Sequence, residues 1–425
     1  MTTNPKIVAD RAYPHAASST TPRPRAIAAA PAAARPTDDP RPGADSGPVA
    51  ALLTVLRWLE SVNGSDLHIT TDRRPSARID GCLVEVADVG VWDEPFVESA
   101  LRSMIGSDRW ARFESAREAD VALDLPDTGQ EDSRFRVNVS RQRGSVVAAF
   151  RRIPRRIRTL DDLGLPQAIG DLADLPRGLV LVTGPAGVGK STTLAAIVDR
   201  INRSRAAHVV TIEDPIEYVH TEGRALIHQR EIGVDTVDFP TALRQVLRQD
   251  PDVILLGELR DVETISGALS AAETGHLVLA TLHTQSAAQS IDRIVDMFPG
   301  HRHDQVRAQL ALTLKAVISQ ELLPRATDTG RVVAAEIMVT TPAISNLIRD
   351  ARHYQIPTAM MAGGSLGMQT MDQALAGLVL KGVITSGIAQ QVAHDRGLLT
   401  SMVGHDTTSW TSEPVRPRTA LPRTA

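Results

Sequence analysis

The chain has 425 residues, with 46 Lys+Arg against 50 Asp+Glu, so its formal net charge is −4 with neutral histidines. That balance argues against a protein whose main work is coating nucleic acid, because neutralising phosphates takes a basic excess over at least one face. Cys82 is the single cysteine, which excludes an intrachain disulfide framework and a zinc site built on several thiolates; with no run near the ~18–20 apolar residues of a membrane span and no secretory core, the expected location is cytoplasmic.

The length predicts two or three domains. Residues 1–50 hold 13 Ala and 9 Pro without a sustained apolar period. Residues 1–48 are therefore expected to be a disordered leader, since little apolar area is on offer against the ordering entropy. Order is expected to begin near Pro48, where Leu52, Val55, Leu56 and Leu59 recur at amphipathic-helix spacing and Asn63-Gly64 stops the helix. Short alternating strands follow at Leu67–Ile69 and Arg134–Val139, with an apolar run at Val146–Phe150, so residues 49–158 are predicted to form a small α+β domain. A linker is expected over 159–175.

From Leu179 onward apolar runs alternate with helical stretches: Leu179–Thr183, Val209–Ile212, Val253–Leu256, Leu277–Thr281 and Val332–Val339. This is the pattern of a mostly parallel sheet covered on both faces, expected over 176–340. A helical region follows over 341–400, and a Pro-bearing tail over 401–425 is expected to be disordered. There is no internal repeat.

Between the strand ending at Thr183 and the next helix lies Gly184-Pro185-Ala186-Gly187-Val188-Gly189-Lys190-Ser191, which satisfies G-x-x-x-x-G-K-[ST], with Thr192 continuing the nucleotide-binding stretch. Glycines let backbone N–H groups turn toward phosphates, and the helix start adds orphan donors and a positive dipole end. Lys190 would reach the terminal phosphates of ATP and the Ser191 hydroxyl would bind Mg²⁺. The chain has only four lysines, Lys6, Lys190, Lys315 and Lys381, so a lysine here runs against its arginine habit.

Such a loop needs carboxylates near the metal and the attacking water. Val253-Ile254-Leu255-Leu256-Gly257-Glu258 ends a strand in an acid, and Thr211-Ile212-Glu213-Asp214-Pro215-Ile216-Glu217 places more acids after another strand. Taken singly, Asp214 or Glu217 reads better as loop solvation or a helix cap than as a catalytic acid. Leu279–Thr284 sets His283 and two threonines past a further strand, where they can sense a γ-phosphate, while His276 reads as a hydrogen-bonded core histidine. Residues 133–158 carry nine arginines and no acid; one or two of them are expected to reach a bound triphosphate, the rest forming a solvated basic face.

Together these segments resemble the hexameric type IV pilus and type II secretion ATPases, and among them the PilT-type retraction motors. The resemblance runs from about Leu52 to Thr370 through G-S-D-L-H (64–68), R-F-R-V-N (134–138), the Walker A loop, the Asp box T-I-E-D-P-I-E-Y (211–218), the Walker B-like D-P-D-V-I-L-L-G-E-L-R-D (250–261), the His box E-T-G-H-L-V-L-A-T-L-H-T (273–284) and G-G-S-L-G-M-Q-T (363–370). It implies a PAS-like N-terminal domain, a RecA-like ATPase domain with C-terminal helices, and a six-membered ring. It also implies Glu213 as catalytic carboxylate, Glu258 as the Walker B acid near Mg²⁺ and water, His283 as a γ-phosphate contact, and Arg136 and Arg151 as arginines brought to the phosphates.

The implied partners are five further copies of the chain and an inner-membrane pilus platform protein, with membrane contact only through partners and no direct nucleic acid. Assembly motors of this family usually carry a four-cysteine motif, which one cysteine cannot supply. The retraction helix A-I-R-N-L-I-R-E appears here as Ala343-Ile344-Ser345-Asn346-Leu347-Ile348-Arg349-Asp350, departing at Ser345 and Asp350. The expected function is thus a pilus retraction motor, with a pilus-extension or type II secretion ATPase of the same fold as the first alternative and a RecA-like nucleic-acid motor as a more distant one.

Overall fold

The computed structural model describes residues 47–404 apart from 80–81, 88, 126–133, 154–155, 222 and 328–329. The expected leader up to residue 46, the tail beyond residue 404 and Arg155 of the arginine run lie outside the described residues.

The first helix, α1 (Pro48–Ser61), opens on a proline whose missing N–H is one a helix start leaves unpaired anyway. It buries Leu52, Val55, Leu56 and Leu59, the expected stripe. It ends where Asn63 turns left-handed at φ +52° and where a Cβ on Gly64 would meet Leu59 Cδ1 at 2.4 Å. There follow β1 (Asp66–Thr70), β2 (Ser76–Ile79), β3 (Cys82–Glu85), α2 (Glu94–Ile105), α3 (Ser107–Ala116), β4 (Glu118–Asp124), β5 (Arg134–Gln142) and β6 (Ser145–Ile153). The strands form an antiparallel sheet in the order β3-β2-β1-β6-β5-β4. Period-two alternation sends Phe135, Val137 and Val139 inward while Arg136 and Asn138 take the other face. The chain's scarce aromatics concentrate in this core: Phe113, Phe135 and Phe150 are fully buried, the last two edge-to-face at 6.5 Å.

Residues 159–175 are not a bare linker. Leu160, Leu165 and Leu172 are buried, as is Ile169 of the short α4 (Gln167–Asp171), and all four belong to the core of the next sheet. That sheet is built from β7 (Gly178–Thr183), β8 (His208–Glu213), β9 (Leu226–Glu231), β10 (Val253–Leu256), β11 (Leu277–Leu282), β12 (Leu314–Pro324) and β13 (Arg331–Val339), in the order β13-β12-β7-β11-β10-β8-β9. Every neighbouring pair is parallel except β12 with β13. Its helices are α5 (Lys190–Ser204), α6 (Phe239–Val246), α7 (Val262–Glu273), α8 (Ala287–Asp296) and α9 (His303–Thr313). Residues of β7, β10 and β11 are buried on both faces: Leu179 and Leu181 pack with α6 to α9, while Val180 and Val182 pack with α5.

The C-terminal region comprises α10 (Pro342–Arg349), α11 (Ile356–Ala362), α12 (Met371–Leu380), α13 (Ser386–Val392) and α14 (Arg396–Val403), so helix continues past the expected tail boundary at Ser401. Buried Glu336 of β13 joins this region to the half built on the parallel sheet by accepting the backbone N–H groups of Ala287 (2.8 Å) and Met371 (3.3 Å), the first residues of α8 and α12. Two helix N-termini thereby share one carboxylate, and their dipoles offset part of its desolvation. Ser345 of α10 donates through its hydroxyl to the Ala311 carbonyl of α9 at 2.9 Å. Among the described residues no helix is long and apolar enough to cross a membrane.

Phe135→Ala should cost about 3–5 kcal/mol of stability by cavity formation. Urea unfolding monitored by far-UV circular dichroism checks this as a lowered midpoint.

Candidate nucleotide site

The carboxyl ends of four parallel strands are brought level by register. Leu282 pairs with Thr183, Leu256 with Ile212, and the Gly257 N–H donates to the Ile212 carbonyl at 2.8 Å. The residues that follow those ends, 184–190, Glu213, Glu258 and His283, therefore share one edge, the place where open parallel sheets bind ligands.

The loop 184–189 needs its glycines for stated reasons. Gly184, Gly187 and Gly189 have φ of +136°, +81° and +94°, and a Cβ on Gly184 would lie 2.5 Å from the Gln320 carbonyl oxygen of β12. Gly189 is the N-cap of α5 and brings no side chain to cap it, so the helix opens on its backbone donors, with Lys190 and Ser191 in the first turn. Thr193 and Gln320 hydrogen-bond at 2.8 Å and Thr183 and Ser319 at 2.8 Å, fixing the loop's base to β12.

Lys190 is buried, and its Nζ donates to the Gly184 carbonyl (2.7 Å), the Pro185 carbonyl (2.9 Å) and His283 Nδ1 (3.3 Å). Burial lowers its pKa from the usual lysine range, while Glu258 and Glu217 act in the opposite direction. His283 Nε2 lies 3.2 Å from Glu258 Oε1. An ammonium only donates, so Nδ1 accepts and Nε2–H faces the carboxylate: the partners assign the Nε2–H tautomer. Arg260 Nε binds the other oxygen of Glu258 at 2.8 Å. Lys190, His283, Glu258 and Arg260 thus form one chain of polar contacts across three strand ends.

Glu213, at the end of β8, accepts from Thr211 Oγ1 (2.6 Å) and Gln229 Nε2 (3.2 Å), both on Oε1. Burial raises its pKa above the ordinary glutamate value; the hydrogen bonds from Thr211 and Gln229 and a backbone N–H oppose the shift, and Glu217 adds to it. A cavity of about 30 Å³ lies beside it, with Ser191, Glu213, Tyr218, His220 and Gly257 among its walls. The Tyr218 hydroxyl hydrogen-bonds Thr192 Oγ1 at 2.8 Å, and burial brings His220 down to about 4, a neutral imidazole at physiological pH.

The arginines divide as their partners dictate. Arg136 binds Asp120 through Nε and Nη2 (3.2 and 2.5 Å) and reaches Glu217 through Nη1 at 3.5 Å. Arg151 binds Asp66 at 2.9 Å within its own domain, its side chain largely exposed. Arg141 and Arg152 meet carbonyls of that same domain. Arg134, not singled out in the sequence, is buried, binds Asp124 at 2.6 Å and donates to the Ile216 carbonyl at 3.1 Å. His276 is half-buried, its Nδ1 donating to the Ala271 carbonyl at 2.9 Å: hydrogen-bonded as expected, but not in the core.

The missed members of the site are Arg134, Tyr218 and Gln229. Tyr218 closes the Asp box, and Arg134 opens the R-F-R-V-N segment, but their contacts are with residues far along the chain. Gln229 stands on a strand too polar to read as one.

Ser191 and Glu258 offer a hydroxyl and a carboxylate on one edge, hard oxygen donors of the kind Mg²⁺ takes. Among the described residues no cluster of three or more His, Cys, Asp or Glu forms a metal cage, which fits an ion held by one or two protein oxygens plus phosphates.

The sequence profile of the type II/IV secretion system protein family matches residues 45–359. The chain is 46% identical over 339 residues to the type IV pilus retraction ATPase PilT of Pseudomonas aeruginosa, covering 80% of this chain and 97% of that one. It is 48% identical over 283 residues to a twitching motility protein of Neisseria gonorrhoeae, covering 67% and 75%. Among solved structures it is similar to the pilus retraction motor PilT with bound ADP, at 41% identity and a TM-score of 0.75, covering 82% of this chain and 98% of that one. The chain belongs to the type II/IV secretion system protein family.

Proposed function

We propose that this chain is an ATP-hydrolysing motor that works as a homohexamer at the cytoplasmic face of the inner membrane and powers type IV pilus retraction through a platform protein. The observation that carries the ATPase reading is the level edge where Lys190, His283 and Glu258 touch one another beside Glu213. The pilus reading is supported by the relatives named above.

ATP lies with its β- and γ-phosphates against the 184–189 amides and the start of α5, and Lys190 exchanges the Gly184 and Pro185 carbonyls for phosphate oxygens. Glu213 orients a water in line with the γ-phosphorus and takes its proton as the new P–O bond forms and the β–γ bridge bond breaks, leaving ADP and phosphate. Glu258 accepts from His283 Nε2–H and Nδ1 accepts from the Lys190 ammonium, so His283 acts on the γ-phosphate through the lysine. Ser191 and Glu258 would hold Mg²⁺, which would supply neutralisation of phosphate charge. Arg136 and Arg151 add cations from the N-terminal domain, and Arg136 already lies against Glu217 on the loop that carries Glu213. Loss of the γ-phosphate removes what these cations hold, and a ring opening its clefts in turn converts that difference into rotation of the platform.

Ser345 favours keeping one alternative in view, an extension or secretion motor of the same fold, since its hydroxyl is turned onto α9 where the retraction pattern has a guanidinium. A deletion strain decides between them: excess surface pili without twitching supports retraction, and loss of all pili supports extension.

Glu213→Gln should bind ATP with near-normal affinity and lose turnover by about 10²–10⁴-fold, measured as phosphate release; normal turnover would remove Glu213 from the mechanism. The wild-type kcat should also fall on acidification sooner than for an exposed glutamate. Burial raises the Glu213 pKa, so the inactive protonated form gains population at a higher pH. Thr211→Val removes a hydrogen bond that lowers this pKa and should move the acid limb of the pH–kcat profile further up.

A further inference from the structure

One amide side chain holds three separate parts of the site together. Gln229 of β9 donates through Nε2 to Glu213 Oε1 (3.2 Å) and to the Tyr218 carbonyl (2.8 Å), and accepts through Oε1 from the His220 N–H (2.9 Å). Its orientation is fixed by these partners: a flipped amide would set oxygen against two acceptors and nitrogen against a donor. Both side-chain donors to Glu213, Thr211 and Gln229, converge on Oε1, so together they set the rotation of the carboxylate.

The same loop is gripped from its other side by the N-terminal domain. Ile216 gives its carbonyl to Arg134 Nε (3.1 Å) and Glu217 faces Arg136 at 3.5 Å, while the Ile216 N–H donates to Glu231 Oε2 of β9 in the parallel sheet (3.2 Å). Tyr218, two residues on, bonds Thr192 in the first turn of α5. The segment 214–220 is therefore pinned by the N-terminal domain at Ile216 and Glu217, by the phosphate-binding helix at Tyr218, and by Gln229 at Tyr218 and His220.

We propose that Gln229 is the positioning residue of Glu213, and that through it the N-terminal domain's hold on this loop sets the orientation of the hydrolytic carboxylate. This rests on the reading of Glu213 as the group that orients water. A shift of Arg134 moves the Ile216 peptide, the loop carries the Tyr218 carbonyl, and Gln229, bonded to both that carbonyl and Glu213, turns the carboxylate with it. Misplacement of a reacting group by about 1 Å costs on the order of 100-fold in rate. Phosphate binding by the loop amides and Lys190 does not use Gln229, so the effect falls on kcat and spares KM.

The test uses the full chain with ATP and Mg²⁺, comparing Gln229→Leu and the isosteric Gln229→Glu with wild type, and Gln229→Leu with and without Arg134→Gln. The expected result is a kcat lowered roughly 10–100-fold in both single variants with KM and ATP-analogue affinity within about twofold. The double variant should lose less than the product of the single losses, because both act through one loop. Gln229→Glu still accepts the His220 N–H and carries the readout if Gln229→Leu does not fold. Wild-type kcat in the folded Gln229 variants, a rise in KM in place of a fall in kcat, or multiplicative losses with Arg134→Gln each overturn the proposal. Full turnover by Glu213→Gln sinks the underlying reading instead, whereas a dead Glu213→Gln beside fully active Gln229 variants sinks only this inference.

Discussion

The backbone ladder joining β8, β10, β11 and β7 brings Ile212, Leu256, Ala280 and Leu181 to one level, and each functional side chain is then placed by how soon it follows that level. Glu213 is the last residue of its strand, Glu258 comes two residues after Leu256, and His283 directly after Leu282. A one-residue slip in any of these pairings would turn every following side chain to the other face. The apolar burial on both sheet faces that prevents such a slip, with Leu179 and Leu181 on one side and Val180 and Val182 on the other, is therefore also what aligns the site.

Around that edge the polar groups are arranged so that none of the central charges stands alone. Lys190 sits among carbonyls and an imidazole, Glu258 between His283 and Arg260, and Glu213 between a hydroxyl and an amide. Burial acts on both key groups toward neutrality, lowering the lysine and raising the glutamate, and the local hydrogen bonds and charges counter it. The N-terminal domain contributes to the same balance at a distance: Arg134 and Arg136 touch the loop after Glu213, at the Ile216 carbonyl and the Glu217 carboxylate, rather than Glu213 itself.

Much of this was legible in the chain. The G-x-x-x-x-G-K-[ST] spacing between an apolar run and a helical stripe marked the loop, and uninterrupted runs such as Leu277–Thr281 marked strands buried on both faces. Of the N-terminal sheet, β2, β3 and β4 were not named in the sequence, and in the parallel sheet two strands were not legible, for different reasons. β9 reads Leu226-Ile227-His228-Gln229-Arg230-Glu231, too polar to announce a strand at a sheet edge, and Gln229 was hidden with it. β12 begins at Leu314 directly after α9 ends at Thr313, with no glycine or proline to mark the change of period. The arginine run showed that charge was concentrated but not where it went. Arg134 and Ile216 stand 82 residues apart and Arg151 and Asp66 stand 85 apart, pairings that local pattern does not carry.

In the proposed mechanism backbone amides around Lys190 grip a triphosphate and acids on the neighbouring strand ends break it. Phosphate release by the purified, assembled chain given Mg²⁺ and ATP, compared with Lys190→Ala, tests this most directly. Saturable release by the wild type and loss of both ATP affinity and release in the variant are expected. Equal release by the two proteins, or no ATP affinity and no release by the wild type, would contradict it.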